Sequence, residues 1–458
     1  MDSPKTHAAA LRPIGLSAIV LAAAVATAVC AGPWCRAAER LPASSGDRQY
    51  FAALGSRMPT VAEDDRFPRV LKWPGGPSIQ LRGRIDLDSI WTLQSAGNVF
   101  AYGELGAVVG LRRARVGVQG DLCADHRYLA EIDLASGEVV PRDIFVARGR
   151  AELAGERRIG HFREPFSLEG GTNANYFMFM ERSPVNDLDP ARAWGVAVFD
   201  CAPTETATLA VGVFFNGSGI ADFEAGNNAA SALTGRLTVA PLLEDGGRQL
   251  VHLGVASSTR LSENGIVTVN QHPRSALLDP SDSTLSPFVP TVEIAADVQQ
   301  AFNVQLATCR GPFWTQAEWY SSLIPAYGGD LVFLHGGYAS CGWFLTGEHR
   351  AYQATAGVLG PVSVARPLVR GAESRGRPSG WGAWELVARL SYLDYFDLPP
   401  GPGASNVGIR LPQATFGVNW YLADRWRLMF NYAYEVPDEA NIGTSEASVF
   451  ATRLNVFF

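Results

Sequence analysis

Lysine is almost absent from this 458-residue sequence, since Lys5 and Lys72 are the only lysines among 38 basic residues. Charged residues of all kinds make up only 18% of the chain, whereas soluble globular proteins contain ~25%. The net charge of −7 argues against a nucleic-acid-binding protein, which needs a basic surface. Two interpretations of the arginine excess stay open: a GC-rich coding sequence, or the use of guanidinium groups to contact anions.

Long apolar runs occur only near the beginning of the chain. Lys5 and Arg12 lead into an apolar run from Ile14 to Val29, which is followed by small residues. This order is typical of a secretory signal peptide, and the run is too short for a membrane anchor. We therefore expect residues 1–38 to be a signal peptide and the protein to be exported. After residue 38, no apolar stretch is long enough for a transmembrane helix.

Clusters of metal-binding or catalytic side chains are also missing. The seven histidines form no metal-binding pair, and no Gly-x-Ser-x-Gly follows the faintly oxyanion-hole-like His335-Gly336-Gly337. We therefore predict no catalytic site, no metal site and no cofactor. Disulfides remain open, because an oxidising compartment permits them but spacing does not give their connectivity. The four cysteines after residue 38 are Cys123, Cys201, Cys309 and Cys341.

Alternation of apolar and polar residues is abundant instead. It is clearest from Ile79 to Asp88 and recurs around residues 113–122, 128–134, 209–215, 384–392 and 415–434. Period-two alternation indicates strands with two different faces. The polar faces carry charges of both signs, which a closed apolar core could not tolerate but a water-filled lumen could. Tryptophan and tyrosine lie at the ends of the apolar faces, as in the interfacial girdles of membrane barrels.

A membrane-spanning sheet must close on itself, because lipid cannot satisfy the hydrogen bonds of its edges. The sequence therefore predicts an all-β protein: a transmembrane antiparallel β-barrel of about 16 strands over residues 78–458. Residues 39–77 lack a sustained period, and we expect a periplasmic extension there. The Pro/Gly-rich stretches Asn270 to Pro290, Arg366 to Gly380 and Pro399 to Ser405 are predicted outer loops.

The last residues carry a specific pattern. Phe450, Thr452, Leu454 and Val456 alternate with smaller or polar residues, and Phe458 is the final residue. A terminal aromatic residue on an amphipathic strand resembles the assembly signal of bacterial outer-membrane proteins. The resemblance implies the barrel-assembly machinery as a partner and the outer membrane as the location.

Three segments resemble a known family. Gly160-His161-Phe162-Arg163-Glu164-Pro165-Phe166-Ser167 is followed by Phe179-Met180-Glu181-Arg182 and then by Arg192-Ala193-Trp194-Gly195. This order is similar to the G-x-F-K-x-P-F-S, F-M-E-R and R-x-x-G elements of the phosphate-selective porin O and P family. The resemblance implies a barrel of sixteen strands, usually a homotrimer, in which the loop from Ser167 to Arg192 folds inward and constricts the channel. It also implies anion contacts at Arg163, Arg182 and Arg192, although the family's lysine-rich part is missing.

The predicted function is an outer-membrane porin for passive diffusion of small hydrophilic solutes, with anion or phosphate preference as a hypothesis. The alternative is a plugged structural or adhesive barrel without transport. An outer-membrane enzyme and a soluble secreted β-protein are further rivals. Alternation places several arginines in the lumen, where they either attract anions or brace the wall through ion pairs with nearby carboxylates. These arginines are Arg82, Arg84, Arg113, Arg115, Arg389, Arg427 and Arg453.

Overall fold

The protein is described by a computed structural model that covers residues 60–61, 70–73, 76–123, 125–149, 155–215, 229–262, 264–269, 292–369, 376–399, 408–440 and 442–458. The expected signal peptide lies outside these residues, as does most of the expected extension. Within that extension, Val70–Lys72 pairs with Thr60–Val61 and with residues 78–80, at the start of the first long strand.

Sixteen antiparallel strands form a closed barrel, as predicted. Each strand pairs with the next along the chain, and the last pairs with the first from Ala447↔Gln94 to Phe457↔Arg84. Closure leaves no edge strand, so every strand has hydrogen-bonded neighbours on both sides. The strands are β1 Ser78–Gln94, β2 Ala107–Cys123, β3 His126–Asp133, β4 Val140–Arg148, β5 Glu156–Arg163, β6 Arg192–Cys201, β7 Ala207–Phe215, β8 Ala229–Glu244, β9 Gln249–Ser262, β10 Val298–Arg310, β11 Phe313–Pro325, β12 Leu331–Phe344, β13 Ala383–Asp394, β14 Ile409–Ala423, β15 Trp426–Glu435 and β16 Ala447–Phe457.

The alternation of the sequence matches the two faces of the barrel wall. In β1, Ile85 and Leu87 are exposed on the outside, whereas Asp86 and Asp88 are buried inside. The outer face of β7 is likewise apolar and exposed, at every second residue from Leu209 to Phe215. Exposed apolar side chains are unfavourable in water but favourable against lipid. The apolar outer face is therefore that of a membrane protein.

Aromatic residues mark one end of this outer face. Trp384 and Trp420 stack with ring centroids 4.9 Å apart, and Trp426 lies nearby on the neighbouring strand. The chain ends at the same end of the barrel, where Phe458 exchanges two backbone hydrogen bonds with Gly83. The ring of Phe458 covers this glycine so closely that a Cβ there would lie 2.4 Å from the ring.

The two ends of the barrel differ in their connections. Short turns join β6 to β7, β8 to β9, β10 to β11 and β14 to β15 at one end, which is therefore the periplasmic end. The prediction that Arg366 to Gly380 form an outer loop is wrong. These residues belong to the connection 345–382, which joins β12 to β13 at the periplasmic end. Proline and glycine indicate a loop but not which end it occupies. The predicted loop Asn270 to Pro290 lies outside the described residues.

Short elements occupy the connections. Helix α1 spans Ala96–Tyr102 and is capped by the side chain of Ser95, while α2 spans Leu168–Gly171 and is capped by Ser167. None of the helices in the described residues is long and apolar enough to cross a membrane. The remaining elements are the 3₁₀ turns Ala174–Tyr176, Pro184–Leu188 and Asp245–Gly247, and the paired short strands Ile266–Val269 with Val292–Ala295, Arg350–Gln353 with Val358–Val362, and Asp438–Glu439 with Gly443–Thr444.

No disulfide joins the cysteines of the described residues. Cys201, Cys309 and Cys341 are free thiols. The sulfur of Cys123 lies 3.2 Å from Nδ1 of His126 across the turn from β2 to β3.

Candidate functional site

The loop between β5 and β6, residues 164–191, folds into the barrel; we call it the inward loop. Phe166, Leu168, Met180 and Val185 are at most 1% exposed although they belong to a connection rather than to the wall. Their burial supplies the apolar contact that a loop needs to stay ordered in a wide lumen. The inward loop predicted from the three motif segments is therefore present.

Glu181 fixes the middle of the inward loop to one side of the wall. Its carboxylate pairs with Arg112 (2.9 Å) and Arg113 (2.9 Å) on β2 and with Arg453 (2.7 Å) on β16. Arg453 also pairs with Asp88 at 2.6 Å and donates to the carbonyl of Met180. Glu181 lies outside the spanning strands; burial raises the pKa of its carboxyl, but the three guanidinium groups outweigh this and hold that pKa well below its ordinary value.

Hydrogen bonds from side chains on β13, β14 and β15 fix the backbone of the same stretch to the wall. Asn419 donates to the carbonyl of Met178 at 2.8 Å, and Arg427 donates to that of Phe177 at 2.5 Å. Arg389 donates to the carbonyl of Glu181 at 3.1 Å, with its guanidinium 4.5 Å from the ring centre of Phe179. The loop is therefore held to the wall at each residue from Phe177 to Glu181 except Phe179, whose ring packs instead.

A second segment fills the barrel from the periplasmic end. The hairpin of Arg350–Gln353 and Val358–Val362, within the connection 345–382, lies inside the barrel; we call it the periplasmic hairpin. Arg236 on β8 donates to the carbonyls of Ala356 (3.1 Å) and Gly357 (2.7 Å) at its turn. The hairpin, the inward loop and the wall share one apolar cluster: Leu168, Met178, Phe179, Ala240, Leu250, Ala307, Cys309, Trp314, Phe344, Tyr352, Val358, Leu359, Val362, Val364, Ala383, Val387 and Tyr421.

The space left over is a cavity of about 1030 Å³ on the side of β2 to β9. Its lining includes Ser136 and Thr268 near the long loops, and Arg127 and Asp200 near the short turns, so it extends between the two ends of the barrel. Among the residues that the structure describes, twelve arginines and nine carboxylates line it. The arginines are Arg82, Arg112, Arg113, Arg115, Arg127, Arg142, Arg158, Arg163, Arg182, Arg192, Arg236 and Arg260.

The three motif arginines all line this cavity. Arg163 and Arg192 are direct cross-strand partners on β5 and β6. Arg163 pairs with Asp189 of the inward loop at 3.3 Å, and Arg192 makes a two-pronged contact with Asp143, both bonds 3.1 Å. Arg182 donates to the carbonyls of Glu169 and Gly170 at 3.5 and 3.4 Å.

The arginines predicted from alternation fall into two groups. Arg82, Arg113 and Arg115 line the cavity. Arg84, Arg389, Arg427 and Arg453 also face the interior, but their side chains are buried against carboxylates or the inward loop rather than lining the cavity. The face of each residue follows from alternation, whereas its partner depends on where the loop lies.

Sequence reasoning missed half of the cavity arginines: Arg112, Arg127, Arg142, Arg158, Arg236 and Arg260. Arg236 and Arg260 lie at alternating positions of β8 and β9, so a strand-by-strand count of every alternating run would have found them. Arg112 could not be found that way. A bulge opposite Asp86 and Leu87 shifts the register of β2, so that Arg112 and Arg113 both reach Glu181.

These features define an outer-membrane porin: a closed barrel of sixteen strands, with a loop folded inside and a charged cavity between its ends. The chain belongs to the phosphate-selective porin O and P family, whose model matches residues 95–458. An uncharacterised protein of Caulobacter vibrioides is 26% identical over 421 residues, covering 88% of this chain and 79% of the relative.

Solved structures share the fold. The loop L8 deletion mutant of OmpT, an outer membrane protein of Vibrio cholerae, is 12% identical with a TM-score of 0.50, covering 84% of this chain and all of that chain. Salmonella typhi OmpF in complex with daunomycin is 11% identical with a TM-score of 0.50, covering 84% of this chain and 98% of that chain. At these identities the similarity concerns the fold alone.

Proposed function

We propose that this porin passes small anions by passive diffusion and that inorganic phosphate is one of them. The observation that carries the proposal is the charge of the cavity: twelve arginines against nine carboxylates, in a chain whose net charge is −7. The sign of the lining is therefore opposite to that of the whole protein. Fixed positive charge in a narrow, partly dehydrated passage raises the local anion concentration and the rate of anion entry.

Arg163, Arg182 and Arg192 are the proposed anion contacts. Guanidinium groups remain charged at any physiological pH and present a planar set of donors that fits phosphate oxygens. All three face carboxylates or carbonyls that hold them in place. Since no lysine lies among the cavity residues, selection here would depend on guanidinium groups alone, and binding must stay weak enough for release.

The test is planar-bilayer conductance of the purified porin across a KCl gradient, repeated with added phosphate. The proposal expects a reversal potential on the anion-selective side and a conductance that phosphate reduces. Arg182→Gln should lower the ratio of chloride to potassium permeability by about twofold or more. Arg157→Gln is the matched control, because Arg157 is exposed on β5 and does not line the cavity. A cation-selective reversal potential in the native protein would refute the proposal.

The plugged barrel is the second candidate, favoured by one observation. The inward loop and the periplasmic hairpin meet in an apolar cluster that fills part of the lumen. If these segments closed the rest of the lumen in the membrane, the barrel would be a structural scaffold rather than a channel. The same bilayer experiment separates the two, because a plugged barrel gives no conductance steps.

A further inference from the structure

Glu318 on β11 faces the interior and is 4% exposed. Its carboxylate accepts the backbone N–H groups of Leu168 (2.8 Å) and Glu169 (2.7 Å), at the start of α2 in the inward loop. The hydroxyl of Tyr338 (2.6 Å) and the amide of Asn303 (3.2 Å) donate to it as well. Within the described part of the chain Glu318 makes no salt bridge, so neutral donors alone satisfy the oxygens of this buried carboxyl group.

The other end of α2 contacts a proposed anion-contact residue. The carbonyls of Glu169 and Gly170 accept from the Arg182 guanidinium, which also lies 4.5 Å from the ring centre of Phe177. A four-residue helix is a rigid unit about 6 Å long. The position of Glu318 on the wall therefore determines where these two carbonyls, and with them Arg182, are placed.

The N-terminal cap of α2 connects the helix to a second proposed anion-contact residue, Arg163. The hydroxyl of Ser167 donates to Asp189 at 2.8 Å and accepts from the N–H of Gly170 at 2.8 Å. Asp189 in turn pairs with Arg163 at 3.3 Å. One wall carboxylate is thus linked through α2 to two arginines that line the cavity, although Glu318 itself does not line it.

We propose that Glu318 is a positioning residue for ion selection, which acts through α2 to hold Arg182 and Arg163 at the cavity. The inference rests on the proposed anion preference and adds the wall residue on which that preference depends. Any direct electrostatic effect of the Glu318 carboxyl group has the opposite sign. Removing a negative charge beside a channel by itself increases anion selectivity, whereas releasing α2 decreases it.

The experiment compares three variants in bilayers across a KCl gradient. Glu318→Gln keeps the size of the side chain but replaces one acceptor oxygen by a donor that faces an N–H of α2. Glu318→Asp keeps the charge but withdraws both oxygens from α2. Glu435→Gln is the control, because Glu435 is an equally buried interior carboxylate on β15 that accepts from Gln413 at 2.7 Å. All three are purified from outer membranes, so that only assembled barrels are measured.

The proposal expects the ratio of chloride to potassium permeability to fall by about twofold in both Glu318 variants and to rise or stay constant in Glu435→Gln. If Glu318→Gln fails to assemble, Glu318→Asp alone decides the question, since it leaves the charge unchanged. A rise in the ratio for Glu318→Gln with no change for Glu318→Asp would overturn the proposal and leave only a charge effect.

A second measurement tests whether the effect passes through Arg182. In an Arg182→Gln background, Glu318→Asp should cause less than half of the change in permeability ratio that it causes in the native protein, because coupled residues are not additive. If the two effects are fully additive, Glu318 does not act through Arg182, and the proposed relay from Glu318 through α2 to Arg182 is contradicted. If the native protein shows no anion preference, the proposed function fails first. The relay is then judged by conductance alone, where unchanged step size and noise in Glu318→Asp would refute it too.

Discussion

The interior of the barrel has two sides that hold the inward loop with a different balance of ionic and apolar contacts. On β1, β2 and β16 the contacts are ionic, between arginines of the wall and carboxylates of the wall and loop. On β9 to β14 a large apolar cluster joins the loop, the periplasmic hairpin and the wall. The ion pairs of Arg260 with Glu164 (3.0 Å) and of Arg389 with Glu169 (3.5 Å) lie beside this cluster. The ionic side consists of Arg84, Asp86, Asp88, Arg112, Arg113, Glu181 and Arg453.

This difference explains why the cavity is off-centre. Apolar side chains in a lumen lower the free energy only when they exclude water, so the side that carries them packs closed. Ion pairs are costly to dehydrate. Arg112 and Arg113 of the ionic side line the cavity, whereas Asp86 and Arg453 are buried behind them. The cavity accordingly borders the ionic side and the strands β3 to β6 that follow it. One half of the barrel is thus a scaffold, and the other half is the wall of the channel.

The ionic side should be the most sensitive to a single change. Glu181→Gln leaves Arg112, Arg113 and Arg453 without their loop carboxylate, and removing one partner of a buried ionic network costs about 3–5 kcal/mol. We expect the free energy of unfolding to fall by this amount, measured by urea titration of the barrel in lipid vesicles.

Glu138→Gln is the control for this variant, because Glu138 is exposed in the connection between β3 and β4. It should change the free energy of unfolding by no more than about 0.5 kcal/mol. Equal effects of the two substitutions would show that Glu181 contributes nothing through its arginines.

The apolar side should respond to lost volume rather than to lost charge. Leu359 of the periplasmic hairpin is fully buried in the apolar cluster. Leu359→Ala should lower the free energy of unfolding by about 3 kcal/mol through the lost transfer energy and the cavity left behind. The same urea titration measures it, and the permeability ratio should keep its sign because no charged group moves.

Leu368→Ala provides the matched control, since Leu368 lies in the same connection between β12 and β13 but is 43% exposed. Its effect should be at least threefold smaller. A reversal of ion selectivity in Leu359→Ala would contradict the division of the interior into scaffold and channel wall.

Much of the fold could be predicted from the sequence, because the wall obeys a local rule. Alternation assigned Leu209, Val211 and Val213 to one face, and all three are exposed on the outside of β7. The count of about sixteen strands came from the length of the chain, and the closed barrel from the need to pair every backbone group within lipid. Alternation also placed Asp86 and Asp88 inside the barrel. This assignment is sensitive, because a register shift of one residue would move every side chain of β1 to the other face.

The filling of the barrel could not be predicted, because it depends on contacts between distant segments. Val358 and Leu359 read as an ordinary apolar stretch, and nothing local indicates that they pack against Leu168 of the inward loop. Arg453 was assigned to the lumen by its face alone, although it is 1% exposed and bound to Met180 and Glu181. The bulge at Arg112 is equally invisible, since it exists only in the pairing with β1.

The smallest predicted effect concerns one hydrogen bond inside the apolar cluster. The indole N–H of Trp314 donates to the fully buried carboxylate of Glu385 at 2.7 Å, and Glu385 also accepts from Asn419 and Tyr421. Trp314→Phe keeps an aromatic ring but leaves this carboxylate one donor short, which should lower the free energy of unfolding by about 1–3 kcal/mol. Trp343→Phe, on the outer face of β12 and 52% exposed, should cost less, because its ring faces lipid. If both substitutions lower the free energy of unfolding equally, the lost ring volume alone accounts for both effects. The hydrogen bond from Trp314 to Glu385 would then contribute nothing to the stability of the apolar side.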